Sequence, residues 1–539
     1  MADMATLTRP MQGIAVAVES PSLPQGSRLG WGISVAALVV GLAYIGFHLL
    51  RDVHTVPRAA SGTYFLLAGA LVIALGFEVV NGFHDTANAV ATVIYTNSLE
   101  PHLAVVWSGI CNLCGVLVST GTVAYAIIAL LPVDLILQVS SHSGFAMVFA
   151  LLIAAILWNL GTWWLGLPAS SSHTMVGSII GVGVANQLLN PHSGASGIDW
   201  GQAVRVLEAL LISPVIGFFV AGVLLLISKR LFRYPSLYRA PKGKTPPPFP
   251  VRALMVLNCT GVSFFHGSND GQKGMGLIML ILIGTVPAAY ALNHNASPRD
   301  LGNFLNASER VVQILDGHGV PPAPNEVTAR AEATRYIRTG QLAPQTLPAL
   351  RTLVIRLDGE LSRYSDYSSV PAEEQASMRN SMFVTGEALR LIQKDHDGAF
   401  TPAEWKSIQS YRQSMDHATR YIPAWVKVAV ALALGLGTMV GWRRVVVTVG
   451  EKIGKDHLTY AQGAAAGLVA MGTIFAANGF GLPVSTTHIL SSGVAGTMAA
   501  NGSGLRMRTV RNIAAGWVLT MPAAALLSAL LYVMFRQIP

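Results

Sequence analysis

The segment Asn81-Gly-Phe-His-Asp-Thr-Ala-Asn88 lines up with His266-Gly-Ser-Asn-Asp-Gly-Gln-Lys273 at an offset of 185, so that Gly82 meets Gly267 and Asp85 meets Asp270. A second pair, Gly166-Leu-Pro-Ala-Ser-Ser-Ser-His173 and Gly481-Leu-Pro-Val-Ser-Thr-Thr-His488, aligns at an offset of 315, with Gly181 meeting Gly496 further on. The two offsets differ by 130, almost the length of the charged stretch from Asn293 to Tyr421. With that stretch removed, the spacing from Asp85 to Ser170 equals that from Asp270 to Ser485, 85 residues in each case. The chain therefore reads as a duplication with an insertion in its second half.

The chain around these motifs is too apolar for a water-soluble domain. Of 539 residues 52% are hydrophobic and 12% charged, and the mean hydropathy is +0.49. The stretch 293–421 holds 14 Lys/Arg and 15 Asp/Glu in 129 residues, and the other 410 hold only 34 charged residues. Apolar runs near 31–50, 64–80, 103–130, 144–165, 208–228, 251–292, 423–441, 459–478 and 513–535 approach or exceed the length needed to cross a bilayer as a helix. The fold expected is an all-α polytopic membrane protein, with two homologous, inverted repeats, broken helices, two re-entrant hairpins and a helical soluble insertion. Residues 1–61 form a tail and an extra transmembrane helix too long and too late in the chain for a cleaved signal. The first repeat is 62–230, a basic cytoplasmic linker is 231–250, and the second repeat is 251–292 with 422–539, split by the insertion 293–421.

The net charge of +9 lies in short loops. From Lys229 to Arg252 there are seven basic residues and no acid, and Arg443, Arg444, Lys452 and Lys455 form a second basic loop. Such loops mark the cytoplasmic side of a membrane protein, not a nucleic-acid surface. The insertion faces the other side if each flanking segment crosses once. Run 251–292 is long enough to be one broken helix or a helix plus a re-entrant piece. Within the insertion, Thr401 with Glu404 fits a capping box and Pro402 suits a first helical turn. Asp395 and Asp397 before Gly398 resemble a calcium-loop fragment but lack the required Glu, which favours a turn between two helices. Cys111, Cys114 and Cys259 lie in apolar runs, offering neither a disulfide framework nor a zinc site.

Duplicated halves with Gly/Pro-interrupted polar segments at matching positions are the mark of a secondary transporter, whose site lies mid-membrane where the halves meet. Irregular backbone is tolerated there only where it lines a cavity or is buried in protein. Pro168 and Pro483 are expected at hairpin tips. Their free N–H groups, helix-dipole ends and the hydroxyls of Ser170, Ser171, Ser172, Ser485, Thr486 and Thr487 suit an oxyanion; the plainer reading is helix capping or helix-pair bonding. At helical spacing Glu78, Asn81, Asp85 and Asn88 share one face, as do His266, Asp270 and Lys273, with His84 and Asn269 beside them. Ionisable residues at that depth cost about 2.5–3.5 kcal/mol each and line an ion path or pair with one another; an Asp270–Lys273 pair that only holds helices together is the alternative. Carboxylates beside an oxyanion repel it, so a cation must enter too: a proton on Asp85 or Asp270, a metal bridging carboxylate and substrate, or sodium.

At these residues the chain resembles the inorganic phosphate transporter (Pit) family. Its duplicated signature Gly-Ala-Asn-Asp-Val-Ala-Asn-Ala is matched by Gly82 to Ala89 and Gly267 to Gly274, and its two hairpins by the Gly-Leu-Pro motifs. The resemblance runs from about residue 62 to the C-terminus, without the insertion. It implies phosphate as substrate, a multi-pass protein of the cell inner membrane, and a site formed by the hairpin hydroxyls with Asp85, Asp270, Asn88 and Asn269. Asp85, Asp270, Lys273, His84, Glu78 and His266 would serve coupling. His84 and Lys273 replace an Asn of the sodium-coupled members, and an ammonium at 273 stands where sodium would sit. The pattern is similar to the bacterial low-affinity branch, whose members are proton-driven and carry phosphate as a neutral complex with Mg2+ or another divalent cation. A metal would then meet Asp85 and Asp270 only as part of that complex, with no resident cofactor. The partners implied are phosphate and the bilayer, with a homodimer as an option. A sulfate permease and a sodium-coupled symporter are the nearest rivals. A metal-dependent hydrolase finds no compact ligand motif here and no use for the duplication, and a passive anion channel would not accumulate phosphate against its gradient.

Overall fold

The computed structural model describes the chain except residues 1–27, 55–60, 132–134, 137–138, 140, 191–197, 199, 242, 244, 441 and 538–539. Among the described residues it is helical and contains no strand. Among the described residues six helices are long and apolar enough to cross a membrane: Tyr64–Tyr95, Pro101–Val118, His142–Trp164, Trp200–Leu231, Tyr460–Gly479 and Met507–Phe535. Their outward faces carry exposed large apolar side chains such as Phe219, Val223, Val518 and Leu526, which suits a lipid surroundings.

The two halves exchange partners. Helix Thr486–Asn501 of the second half packs along Trp200–Leu231 of the first, and Ser171–Leu189 of the first along Met507–Phe535 of the second. Phe249–Thr285 lies along Pro101–Val118, and Ser61–Asp85 along Ala424–Thr438. The matched glycines make these approaches close enough. A Cβ on Gly82 would strike the Leu434 carbonyl oxygen, and one on Gly267 the carbonyl oxygen of Asn112. Small residues at helix crossings let backbones touch in a setting where hydrophobic burial gives no drive for association.

Both hairpin connections turn through a glycine at φ 65°, Gly166 and Gly481, a conformation that other residues adopt only with strain. Each tip leans on the opposite half. The Thr448 hydroxyl donates to Gly166 O at 2.8 Å and Arg444 to Trp164 O at 2.7 Å, while the Thr122 hydroxyl donates to Asn478 O at 3.4 Å.

Two spans differ from expectation. Run 251–292 is neither broken nor re-entrant. It forms one 37-residue helix, Phe249–Thr285, followed by the short Pro287–Tyr290. At 1.5 Å per residue it reaches about 55 Å, enough to separate the basic linker from the insertion in a single crossing. Run 103–130 is instead two pieces, Pro101–Val118 and Thr122–Ile128, because the chain turns at Gly121 with φ 91°. The early apolar run lies within helix Arg28–His54, which packs along Ala424–Thr438.

The insertion folds around its own core, built from helices Pro298–Gly317, Glu326–Thr339, Thr346–Leu361, Ala372–Asp395 and Pro402–Thr419. The capping box at Thr401 forms as read: Glu404 N–H donates to the Thr401 hydroxyl at 3.3 Å, and Thr401 N–H to the Glu404 carboxylate at 2.7 Å. The segment after Asp395 is a short 3-10 turn between helices. Pro402–Thr419 and Ala424–Thr438 meet at 73°, where the insertion returns to the membrane helices.

Candidate functional site

The two hairpin tips converge on Asp85. Ser171 opens helix Ser171–Leu189 and donates its hydroxyl to Asp85 Oδ2 at 2.8 Å. Thr487, in the first turn of Thr486–Asn501, donates to Asp85 Oδ1 at 2.6 Å. One buried carboxylate thus holds a hydroxyl from each half. The Asn88 amide donates to the hydroxyls of Thr487 at 2.9 Å and Thr486 at 3.2 Å.

The second half repeats the pattern with a cation. Lys273, at the position matching Asn88, donates to Ser172 Oγ at 2.5 Å, and Ser172 occupies the position matching Thr487. Lys273 Nζ also lies 2.8 Å from Asp270 Oδ2, with both side chains buried. That ion pair is an i, i+3 pair on one helix, so it does not itself join two helices; the bond to Ser172 does. Isolated charges at this depth would be very costly, and the pair with its extra hydrogen bonds offsets that cost.

His266 stands between the carboxylates, its Nε2 3.7 Å from Asp85 Oδ2 and 3.6 Å from Asp270 Oδ2. Its Nδ1 is 3.0 Å from the Asn112 side-chain oxygen. Ser171 Oγ reaches Asp270 Oδ2 as well, at 3.4 Å. Asp85, His266 and Asp270 offer ligand atoms within 4.8 Å of one another, and His266 Nε2 and Asp270 Oδ1 make no hydrogen bond. These donors suit a divalent cation in their chemistry, and the Lys273 ammonium beside Asp270 opposes it.

The other residues read from the sequence fall at varied distances. Glu78 and Asn81 are fully buried and their side-chain polar atoms have no hydrogen-bond partner. Glu78 Oε1 packs against Gly274, on the helix that carries Lys273. His84 leans away from the tips, with Nε2 3.1 Å from the Thr162 hydroxyl and Nδ1 3.4 Å from Asp85. Asn269 braces the second hairpin, donating to Asn478 Oδ1 at 2.7 Å and Leu482 O at 3.2 Å. Ser170 and Ser485 are N-caps: their oxygens accept the N–H groups of His173 and His488, each at 3.2 Å. Their oxygens are thus engaged locally, as the capping reading had it for these two.

Sequence reasoning passed over His173 and His488. Their rings stand 4.4 Å apart directly behind the two tips, and His488 stacks on Trp517 at 4.1 Å. Each closes one of the matched motifs, and that matched position was the available signal. Asn112 and Thr438, joined by a 2.9 Å bond, carried no motif.

Residues 81–528 match the phosphate transporter family. The chain is 41% identical over 490 residues to the low-affinity inorganic phosphate transporter PitB of Escherichia coli K12, covering 87% of this chain and 96% of that protein. It is 41% identical over 489 residues to PitA of the same strain, with the same coverage. To the low-affinity inorganic phosphate transporter of Buchnera aphidicola subsp. Acyrthosiphon pisum it is 38% identical over 476 residues, covering 86% and 95%. A solved structure titled the sodium-dependent phosphate transporter aligns with TM-score 0.48 and 17% identity, covering 88% of this chain and 100% of that one. By the extent of the family match and of the identity to the bacterial relatives, the chain belongs to the phosphate transporter family and is a multi-pass membrane protein.

Proposed function

We propose that this protein is a low-affinity inorganic phosphate transporter of the cell inner membrane that carries phosphate in symport with protons and accepts it as a complex with a divalent cation. The observation that carries this reading is the bridge from Asp85 to Ser171 and Thr487. In that bridge a carboxylate occupies hydroxyl donors of both hairpin tips, the donors an oxyanion would use. Protonation of Asp85 weakens its hold on the two hydroxyls, which then turn to phosphate together with the N-terminal ends of their helices. A proton and phosphate thereby enter together, and release of one favours release of the other. Oppositely inserted halves would expose such a site to each side in turn.

Lys273 supports protons over sodium as the coupling ion. Its ammonium satisfies Asp270 and Ser172, so a sodium ion there would meet a fixed positive charge. A divalent cation would enter only within a neutral complex with phosphate, which carries no net charge for the Lys273 ammonium to repel, and Asp85, His266 and Asp270 offer ligand atoms within 4.8 Å of one another. The test of substrate is accumulation of radiolabelled phosphate by proteoliposomes with sulfate as competitor. Strong competition by unlabelled phosphate and none by sulfate at the same concentration is the expected result; equal competition would reassign the oxyanion.

A further inference from the structure

We propose that the cavity between the insertion and the ends of the membrane helices is a second anion site, which takes a phosphate-type oxyanion presented by an anionic phospholipid headgroup or free at the membrane surface. The cavity has a volume of about 320 Å³. Its floor is apolar and comes from the transport helices, through Ile128, Leu131, Ile136 and Ile283. Its roof comes from the insertion and carries the cations Arg338, Arg379, Lys394 and Arg420 with the acids Glu387 and Asp395, a net positive lining. Apolar wall below and positive charge above is the arrangement that an interfacial lipid phosphate complements.

Arg379 carries the argument. It is buried at 6% exposure, and among the described residues no carboxylate pairs with it. Its Nη1 reaches only the Asn380 side chain, at 3.4 Å. Its Nε has no partner, and its guanidinium stands 5.5 Å over the Phe383 ring. Of the acids nearby, Glu387 is held by Arg390, while Asp416 and Asp395 stand against the roof's own Arg420 and Lys394, so the charge left to meet an anion is that of Arg379. Glu387 receives two bonds from Arg390, at 2.9 and 2.6 Å. Asp416 is 2.8 Å from Arg420, and Asp395 lies 3.9 Å from Lys394. Burial pulls the Arg379 guanidinium down to about 10, so it remains charged at neutral pH. A buried charge of this kind calls for a counter-ion, and a guanidinium matches the oxygens of a phosphate ester in geometry as well as charge. The exposed ring of Trp200 lines the same cavity and suits a membrane-interface rim.

The test uses the full-length protein in neutral detergent, with native mass spectrometry and unfolding temperature as readouts. The probes are phosphatidylglycerol, phosphatidylcholine and inorganic phosphate, each against wild type, Arg379→Met and Lys394→Gln. Phosphatidylglycerol is expected to bind and raise the unfolding temperature of the wild type, and phosphatidylcholine is not. Arg379→Met should weaken that binding about tenfold or more, the loss of one charge-assisted contact. Lys394→Gln, at the exposed rim, should weaken it a few-fold and keeps the test open should Arg379→Met fail to fold. A response to inorganic phosphate that depends on Arg379, without one to the lipid, would support the site and identify the free anion as its occupant. Binding of both anions at wild-type strength in both variants would overturn the proposal.

Discussion

Replacing Asp85 by Asn tests the bridge between the hairpins most sharply, because the substitution keeps shape while removing charge. In the wild type the carboxylate accepts Ser171 at 2.8 Å and Thr487 at 2.6 Å. Hydrogen bonds to a charged acceptor contribute about 1.5–3 kcal/mol each and neutral ones about 0.5–1.5 kcal/mol, so neutralising Asp85 loosens the two hydroxyls by about 2–3 kcal/mol together. An amide also has only one accepting atom, so one of the two hydroxyls must turn its proton to another acceptor. Transferred to phosphate binding, 2–3 kcal/mol is about a 30- to 150-fold gain in affinity. Asp85→Asn should therefore bind phosphate at least about tenfold more tightly at neutral pH and with little dependence on pH. It should still exchange internal for external phosphate, and it should fail to accumulate phosphate under a pH gradient. Equilibrium binding of labelled phosphate to purified protein reads the first effect, and counterflow against net uptake in proteoliposomes separates the others. Wild-type accumulation by the variant, or unchanged affinity with unchanged pH dependence, would refute the proposed role of Asp85.

Other substitutions follow from the same geometry. Ser171→Ala and Thr487→Ala should each lower phosphate uptake by about tenfold or more through the loss of a charged-partner hydrogen bond. Ser170→Ala and Ser485→Ala remove N-caps, so their main effect should be about 1 kcal/mol of stability, read as unfolding temperature, with a smaller loss of uptake. Lys273→Asn removes the ammonium paired with Asp270 and should reduce proton-driven uptake; combined with His84→Asn it should produce a response to sodium, measured as sodium-stimulated uptake. Gly267→Ala drives a methyl group into the backbone of Asn112 and should cost about 1–3 kcal/mol or more, seen as a lower yield of monodisperse protein.

Much of this arrangement was legible because the duplication made it so. Matching Asp85 with Asp270 and Ser172 with Thr487 predicted that two carboxylates would meet two hydroxylated tips, and the Lys273 to Ser172 bond answers the Asn88 to Thr487 bond position for position. What escaped has physical reasons. The run through Gly267, Gly271, Gly274 and Gly276 looks like a place for a helix to break, yet those glycines face the backbone and side chains of neighbouring elements and the helix runs on. The turn at Gly121 is hidden because Ser119, Thr120 and Thr122 are few and small between the apolar stretches on either side, so the run reads as continuous. Ser170 and Ser485 read as ligand hydroxyls because a cap and an anion donor are the same residue type at the same place on a helix. Pairing between His173 and His488 depends on how the halves meet, which no single motif encodes.

The coupling proposed above has protons drive phosphate through the site between the two hairpins, with Lys273 excluding sodium. Purified protein reconstituted into liposomes, with the pH gradient, sodium and magnesium varied one at a time, tests it by net uptake of labelled phosphate. Accumulation is expected to follow the pH gradient, collapse with a protonophore, rise with magnesium and ignore sodium. Accumulation that requires sodium and survives the protonophore would contradict it.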